Sequence, residues 1–254
     1  MFDTHAHVHA AAFDEDRETM LRRARDAGVT RIMTIGTDVA DSSQAREVAS
    51  AYGLDYALGI HPHEAKDAPD DIAAALDGIA AAGQERLRAV GEMGLDYYYA
   101  HSPRDAQHRV LVAQMRYARE RSLPAVFHQR DAFPDFIDVL RDEGRGLRGV
   151  VHCFTGDAEQ GRRLTGEFGL MLGIGGVLTF KNAEPLRAAV TAVGLGTLVL
   201  ETDAPYLAPA PHRGRRNEPS FVAATAIRLA ELLETSLDEV TARTDATACA
   251  LFGA

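Results

Sequence analysis

The sequence predicts an α/β fold, a barrel of eight parallel strands that are each followed by a helix. Short β-branched and apolar runs alternate eight times with amphipathic stretches, the pattern of parallel strands joined by helical crossovers. A length of 254 residues suits one α/β barrel domain covering residues 1–254. Several histidines and carboxylates also fall where the predicted strands end, and barrels of this kind collect their functional side chains there.

The elements follow one another at intervals that leave room for one helix after each strand. Among the helices, one opens at Asp41 and stops at Gly53, and another over residues 104–121 is ended by Pro124. We predict two closing helices near residues 221–233 and 237–251, and a long loop over residues 208–219. The predicted strands cover residues 2–5, 31–35, 56–60, 88–92, 125–128, 149–152, 170–174 and 197–201.

Cysteine content, the N-terminal sequence and net charge limit the compartments and partners expected for this protein. Neither cysteine, Cys153 or Cys249, belongs to a Cys-x-x-Cys pair, so we expect a reduced, cytoplasmic protein. The N-terminus lacks a basic region followed by an apolar run, and no stretch approaches the length of a membrane span, so no membrane partner is expected. A net charge of −10 argues against broad adhesion to nucleic acid. Bound cations would invert the charge locally, so a nucleic-acid substrate stays open.

Two histidines near the N-terminus are one residue apart on the first predicted strand, so their side chains point to the same face. Paired imidazoles on one face can close on a single cation. Further donors end the fourth, fifth, sixth and eighth predicted strands, and the carboxyl ends of barrel strands meet at one mouth. The candidate metal ligands are therefore His5, His7, Glu92, His128, His152 and Asp203.

This donor set exceeds the three protein ligands of a mononuclear catalytic zinc site, so two cations are implied. We assign Glu92 as the bridging carboxylate, with one ion held by His5, His7 and Asp203 and the other by His128 and His152. Two metals can clamp the attacking and leaving oxygens of an in-line displacement. A water activated by the two metals would be the nucleophile, and Asp203 would orient or deprotonate it. The predicted catalytic residues are Asp203 and Glu92.

Seven segments, in order along the chain, are similar to the motifs of a known family: DTHAH at 3–7, GIHPH at 59–63, GEMGLDY at 91–97, LP at 123–124 leading to HQRDA at 128–132, HCF at 152–154, ETDAPYL at 201–207 and NEP at 217–219. With these segments the chain resembles the TatD family of metal-dependent deoxyribonucleases, among the amidohydrolase-like TIM barrels. The resemblance covers essentially the whole length. It implies a distorted (β/α)8 barrel and a magnesium- or manganese-dependent hydrolysis of DNA, as an exonuclease from the 3′ end.

The resemblance also implies a ligand set that coincides with the one predicted from the strand ends. It adds His63 as a site residue that touches phosphate. The sequence departs from the family pattern at Leu111, where an aromatic residue is expected, and at Gln129, where serine is commoner. Neither position is a ligand.

Residues beside the predicted ligands are candidates for supporting them. Asp96, four residues past Glu92, suits a carboxylate that accepts the other ring N–H of a ligand histidine, and a turn-forming aspartate is the alternative. His61 and His63 flank Pro62, which forbids a regular helix there. We expect His63 to donate to a phosphate oxygen or to cap the loop, and His61 to be structural.

Arginines and tyrosines are the candidates for substrate contacts. Arg130 and Arg213, the latter beside Arg215 and Arg216, suit phosphate because a guanidinium fork matches its oxygens. A solvated charged surface is the alternative for the cluster. Tyr97 belongs to a run of three tyrosines, residues 97–99, that could stack on a splayed base, although at least one should lie in the core.

Other functions remain open on the sequence alone. The same barrel and metals could support an ester hydrolase acting on charged tRNA, and a coordinatively closed site would indicate a non-catalytic metal-binding protein. Hydrolases that bridge their metals with a carboxylated lysine are disfavoured, because the fourth strand supplies Glu92 and neither Lys66 nor Lys181 lies at a ligand-bearing strand end.

The expected cofactors and partners follow from these predictions. We expect two divalent metal ions, magnesium or manganese by the phosphoryl chemistry and carboxylates, with zinc favoured by the imidazoles as the alternative. The expected substrate is DNA at single-stranded ends, and the chain is expected to act as a monomer.

Overall fold

The computed structural model describes residues 1–253, over which eight β-strands alternate with nine α-helices. None of these helices combines the length and the apolar character that crossing a bilayer requires. The strands are β1 Phe2–Ala6, β2 Arg31–Ile35, β3 Asp55–Leu58, β4 Leu87–Asp96, β5 Ala125–Arg130, β6 Gly149–Val151, β7 Met171–Ile174 and β8 Leu198–Leu200. The helices are α1 Arg17–Asp26, α2 Val39–Tyr52, α3 Ile72–Ala80, α4 Arg104–Glu120, α5 Phe133–Glu143, α6 Ala158–Glu167, α7 Glu184–Val193, α8 Val222–Leu232 and α9 Leu237–Phe252.

The order of the strands in the sheet is their order in the chain, β1 to β8. Parallel pairing joins β3 to β4, β4 to β5, β5 to β6, and β7 to β8. Parallel strands in sequential order, with helices between them, have the connectivity of a (β/α)8 barrel. The predicted fold class is confirmed.

The chain comprises two compact units: a central unit of residues 34–152, and a terminal unit of residues 1–33 with residues 153–254. Within the central unit, β4 is the longest strand with ten residues, and almost all of them are buried. Its register with β5 shifts between Val90 and Met93, and beyond this bulge Gly94 lies opposite His128. A Cβ at Gly94 would clash with the His128 backbone, so the glycine permits this close approach.

Several boundaries of the central unit differ from the sequence prediction by one or more residues, and those of β4 and α2 bear on the site. Because pairing with β5 continues past Glu92, the expectation that Glu92 ends its strand is wrong, and Glu92 lies inside β4. Helix α2 begins two residues before Asp41, since the Asp38 side chain accepts the Asp41 N–H and caps the helix. Its predicted end at Gly53, which has a left-handed φ of 71°, is confirmed.

Within the terminal unit, β7 and β8 pair in register from Leu172 opposite Leu198 to Ile174 opposite Leu200. The segment after β8 runs beside β1: the His7 N–H donates to the Ala204 carbonyl at 2.7 Å, and the Asp203 N–H donates to the His5 carbonyl at 2.8 Å. This pairing brings the beginning of the chain next to the segment that follows the last strand.

Candidate metal centre

Three histidines of the central unit converge on one carboxylate oxygen. Glu92 Oε1 lies 2.8 Å from His128 Nδ1, 3.0 Å from His152 Nε2 and 3.5 Å from His61 Nε2. Glu92 comes from β4 and His128 from β5, while His152 follows β6 directly and His61 follows β3. The carboxylate is almost completely buried, so protein groups rather than solvent define its surroundings.

The electrostatics of this cluster favour an ionised carboxylate. Burial alone would raise the pKa of the Glu92 carboxyl, but the nearby imidazoles of His152 and His61 and the hydrogen bond with His128 hold the pKa well below its usual range. Burial lowers the pKa of His61 to about 4, against the opposing charge of Glu92. At neutral pH the cluster therefore presents a carboxylate together with a neutral imidazole.

These donors fit a divalent cation. One ligand atom each from His61, Glu92 and His128 lie within 4.8 Å of one another. A cation bound here would require the imidazole nitrogens that face it to be unprotonated, because metal ligands must be deprotonated. His61, which the sequence analysis assigned a structural role, belongs to this group. Its signal in the sequence is its position just past an apolar strand.

Asp96, at the end of β4, contacts His128 of the Glu92 cluster and also contacts His63. Its Oδ2 atom lies 3.1 Å from His128 Nε2 and 2.9 Å from His63 Nε2, and its Oδ1 atom accepts the backbone N–H groups of Tyr98 and Tyr99. Burial acts to raise the pKa of Asp96, but the hydrogen bonds from His128, the Tyr99 N–H and His63 hold it well below the ordinary value. A carboxylate in this position fixes the orientation of an imidazole whose other nitrogen faces Glu92.

His128 is thus placed between two carboxylates. Burial lowers its pKa, whereas its hydrogen bonds with Asp96 and Glu92 raise it, and the net pKa lies above the ordinary histidine value. Both ring nitrogens are therefore engaged by acidic residues of the same strand.

A second cluster lies in the terminal unit. Asp203 Oδ1 is 3.4 Å from His7 Nε2 and 3.9 Å from His5 Nε2, and the two imidazole rings lie 5.2 Å apart. His5 lies in β1 and His7 directly follows it, and both are buried, whereas the side chain of Asp203 is 14% exposed. Two imidazoles facing one carboxylate oxygen are again a donor set that suits a divalent cation.

The backbone around Asp203 is fixed by a buried asparagine. Asp203 has a φ of 58°, in the left-handed region that non-glycine residues seldom adopt. The Asn217 side-chain amide donates to the carbonyls of Thr202 at 2.7 Å and Tyr206 at 2.6 Å, and the Asn217 N–H donates to the Pro205 carbonyl at 3.0 Å. These contacts enclose Asp203 on both sides, and such support is what maintains a strained backbone at a site.

Asp3 ties β1 to the same segment. The Thr202 N–H donates to one Asp3 oxygen at 2.9 Å and the Thr202 hydroxyl donates to the other at 2.7 Å. Burial raises the pKa of the Asp3 carboxyl to about 8, although the hydrogen bonds from Thr202 act to lower it. The contact aligns β1, which carries His5 and leads to His7, with the segment that carries Asp203.

Glu201 was not singled out from the sequence as a site residue. It is completely buried directly after β8, and its Oε1 atom accepts the Cys153 N–H at 2.6 Å. The sequence does indicate this residue. Glu201 lies directly after an apolar strand, as the other strand-end candidates do, and it precedes Asp203 by two residues.

The side chains that were predicted to contact substrate have different neighbours from one another. In the central unit, the Tyr97 hydroxyl donates to Asp135 at 2.7 Å and the Arg104 guanidinium covers the Tyr97 ring at 3.8 Å. The Arg130 guanidinium lies 3.9 Å over the Tyr98 ring. His63 is brought to Asp96, as described above.

The arginines after β8 belong to the terminal unit. Arg213 stacks on Phe180 at 3.8 Å, and its guanidinium donates to the Ala208 carbonyl. Arg216 instead forms an ion pair with Asp16 at 2.7 Å. Of these two arginines, Arg213 is the one without an acidic partner over residues 1–253.

A (β/α)8 barrel whose strands and strand ends carry clustered histidines and carboxylates defines the class of metal-dependent hydrolases. Within that class, the family described as TatD related DNase matches residues 2–253. The chain belongs to this family, as the sequence motifs predicted.

Several known proteins are similar to this chain over nearly its whole length. It is 39% identical to the uncharacterized metal-dependent hydrolase YabD of Bacillus subtilis, over 99% of this chain and 98% of that protein. It is also 39% identical to the 3′-5′ ssDNA/RNA exonuclease TatD of Cronobacter sakazakii, over 99% and 97% of the two chains. Among solved structures, the TatD homologue YJJV of Escherichia coli K12 is 30% identical, with a TM-score of 0.92 over 100% of this chain and 98% of that one. The chain is therefore a metal-dependent hydrolase.

Proposed function

We propose that this protein is a metal-dependent deoxyribonuclease that removes nucleotides from the 3′ end of single-stranded DNA. The observation that carries the proposal is the convergence of His128, His152 and His61 on one Glu92 oxygen, within 2.8 to 3.5 Å, inside a TatD-family barrel. The 3′ polarity and single-stranded substrate are supported by the likeness to the Cronobacter sakazakii exonuclease.

The proposed ligands are those predicted from the sequence, with Glu92 as the bridging carboxylate. In the central unit, His128 and His152 would hold one cation with Glu92. In the terminal unit, His5, His7 and Asp203 would hold the other. Magnesium or manganese is proposed for both, since DNA hydrolysis is phosphoryl chemistry.

Bound divalent cations would supply Lewis acidity, which neutralises phosphate charge and lowers the pKa of water. The side chains of the protein perform the remaining tasks. Asp203, whose carboxylate is partly exposed, would accept the proton of the attacking water. His63 would donate a hydrogen bond to a phosphate oxygen, and Asp96 would hold His63 and His128 in place. Arg130 and Arg213 are proposed to bind flanking phosphates, and Tyr97 remains a candidate beside them.

We further propose that the protein acts in the cytoplasm as a monomer. Within residues 1–253 neither Cys153 nor Cys249 belongs to a disulfide, which is consistent with a reducing compartment.

The proposal is tested with metal-free protein to which magnesium, manganese or zinc is added in turn. A 5′-labelled single strand should shorten progressively from its 3′ end with magnesium or manganese, and duplex DNA should be degraded more slowly. DNA that stays intact with every metal would overturn the nuclease assignment. RNA and charged tRNA serve as competing substrates in the same assay.

The role of Asp203 is tested with D203N. Loss of a general base lowers turnover by about a hundredfold or more. The control is D70N, at an exposed loop position, which should behave like the wild type. Metal content of both variants is measured by plasma emission spectrometry, and full turnover by D203N at unchanged metal content would exclude the proposed proton transfer.

A further inference from the structure

Two tyrosines on the turn after β4 are exposed to solvent. Tyr98 is 58% exposed and Tyr99 is 50% exposed, whereas Tyr97 beside them is partly buried and bonded through its hydroxyl. Exposed aromatic faces are the surfaces on which single-strand binding proteins stack bases. The pair therefore differs from the core tyrosines of the same unit.

The turn that carries these tyrosines has a fixed backbone. Asp96 Oδ1 accepts the N–H of Tyr98 at 3.0 Å and that of Tyr99 at 2.9 Å. The two rings lie 4.8 Å apart and perpendicular to one another. A ring held in place before a ligand arrives loses little conformational entropy when the ligand binds.

An arginine without an acidic partner lies over both rings. The guanidinium carbon of Arg130 is 3.9 Å from the centre of the Tyr98 ring and 4.7 Å from that of Tyr99. Over residues 1–253, Arg130 forms no ion pair with a carboxylate, whereas Arg121 on the same unit forms one with Asp77. Stacking uses the flat face of a guanidinium and leaves its N–H groups at the edge, where they can bind phosphate.

The same turn adjoins the Glu92 cluster. The Tyr99 ring is stacked on His101 with a separation of 5.6 Å, and both rings contact His63 edge to face. His63 shares Asp96 with His128, which contacts Glu92. A nucleotide bound to these tyrosines would therefore be a neighbour of the proposed metal ligands.

We propose that Tyr98, Tyr99 and Arg130 form a binding subsite for one unpaired nucleotide of a single-stranded DNA substrate. The base stacks on the face of Tyr98 that Arg130 leaves open, and its phosphate binds the Arg130 N–H groups. The subsite rests on the proposed nuclease function and adds a physical origin for strand preference. A base inside a duplex is already stacked and paired, so binding it here would cost the energy of extracting it.

Binding is measured first, with metal-free protein and a fluorescein-labelled single strand of oligodeoxythymidine followed by fluorescence anisotropy. Y98A should bind about tenfold more weakly, as expected for one lost base–aromatic stack. The matched control is Y52A, because Tyr52 is also exposed but lies at the end of α2. Equal affinity of Y98A and Y52A would overturn the stacking proposal.

The phosphate contact is tested by the salt dependence of the same binding. R130M keeps a long side chain but removes the charge. Loss of one phosphate contact to a single strand should reduce the slope of log Kd against log salt by about 0.7. An unchanged slope would show that Arg130 does not bind phosphate.

Activity then separates the subsite from the proposed function. A single abasic residue is placed at successive positions of the strand, and kcat/KM is measured with magnesium or manganese. Wild-type activity should fall about tenfold at one position, and Y98A should have lost this sensitivity. A wild-type enzyme that degrades the strand but shows no sensitive position overturns the subsite alone. A wild-type enzyme that leaves every strand intact overturns the nuclease function itself.

Discussion

Glu92 and Asp203, the two carboxylates proposed to hold metal, are positioned in opposite ways. Glu92 lies inside β4 and is fixed through its side chain, because three imidazoles contact one of its oxygens. Asp203 lies in a segment after β8 and is fixed through its backbone, because Asn217 holds the carbonyls of Thr202 and Tyr206. The central unit thus carries Glu92 and His128 on regular strands, and the terminal unit carries Asp203 on a loop.

The two carboxylates should therefore be sensitive to different substitutions. Glu92 depends on the identity of its own side chain and of its direct partners. Asp203 depends as well on residues that contact only the backbone, because its φ of 58° has to be maintained by the surrounding loop.

The largest effect is expected from E92Q. The amide keeps the shape of the side chain but removes the charge that attracts the imidazoles and would bind a cation. We expect kcat/KM on single-stranded DNA to fall about a thousandfold, since metal-based charge stabilisation is worth several kcal/mol. The fall should be accompanied by a loss of bound metal, measured by plasma emission spectrometry.

A control for E92Q is E47Q on the exposed surface of α2, where Glu47 forms an ion pair with the neighbouring Arg46. This variant should retain wild-type activity and metal content. If E92Q loses less than about tenfold in activity, Glu92 does not have the central role that its contacts suggest.

An intermediate effect is expected from N217A. Removing the amide takes a hydrogen-bond donor from the buried Thr202 carbonyl and another from the partly buried Tyr206 carbonyl, so the free energy of unfolding should fall by about 2 kcal/mol. Displacement of Asp203 should also lower kcat by about tenfold or more, because small misplacements of a reacting group are costly. Urea unfolding and steady-state kinetics on DNA measure the two effects.

Asn217 is a positioning residue, so kcat should change and KM should stay close to the wild-type value. The control is N182A, at an exposed position before α7. A purely structural role of Asn217 would leave the kcat of the folded variant unchanged, and that result would contradict the proposed support of Asp203.

The smallest effect is expected from D16N, because Asp16 forms a surface ion pair with Arg216 of the loop after β8. Asp16 on the surface binds Arg216 and Arg23, and the hydrogen bond from Arg216 is the largest cause that lowers its pKa to about 2. A pKa depressed in the folded state stabilises the protein above the unfolded value, about 3.9, and the stabilisation is lost as the pH falls toward 2. We expect D16N to lower the free energy of unfolding by about 1 kcal/mol at neutral pH, discounted for solvent screening.

Urea unfolding of the wild type and of D16N between pH 7 and pH 2 tests this expectation. The difference between the two should be constant down to about pH 5 and vanish toward pH 2. D138N, which removes an exposed ion pair with Arg141 inside α5, should show almost no difference at any pH. A D16N difference that grows as the pH falls would contradict the assigned sign.

The sequence predicted the strand positions because alternating apolar runs and turn residues report local structure directly. The main error was at β4, whose end was predicted at Glu92. The glycines at 91 and 94 resemble the end of a strand, but Gly94 permits close contact with the His128 backbone instead. Whether a glycine ends a strand or admits a neighbour depends on a residue more than thirty positions away, so local pattern could not decide it.

The sequence predicted which residues form the candidate site, but it did not predict which of their atoms contact one another. Residue types and strand spacing indicated Glu92, His128 and Asp96, but the engagement of both His128 nitrogens by carboxylates of one strand is a result of register. The same limit applied to the tyrosine run, because sequence cannot show which ring an arginine covers. The sequence predicted stacking by the run at residues 97–99 as a whole, and the exposed rings of that run belong to Tyr98 and Tyr99.

Glu92 and Asp96 are four residues apart on β4, and this spacing determines whether both carboxylates lie on the same face of the strand. Side chains along a strand alternate between its two faces, so the even interval leaves both carboxylates directed to the same side. Inserting or deleting one residue between them would turn Asp96 to the opposite face and separate it from His63 and His128. A change of two residues would restore the face but move Asp96 about 6.6 Å along the strand, away from the same histidines, so the length of this stretch should stay constant.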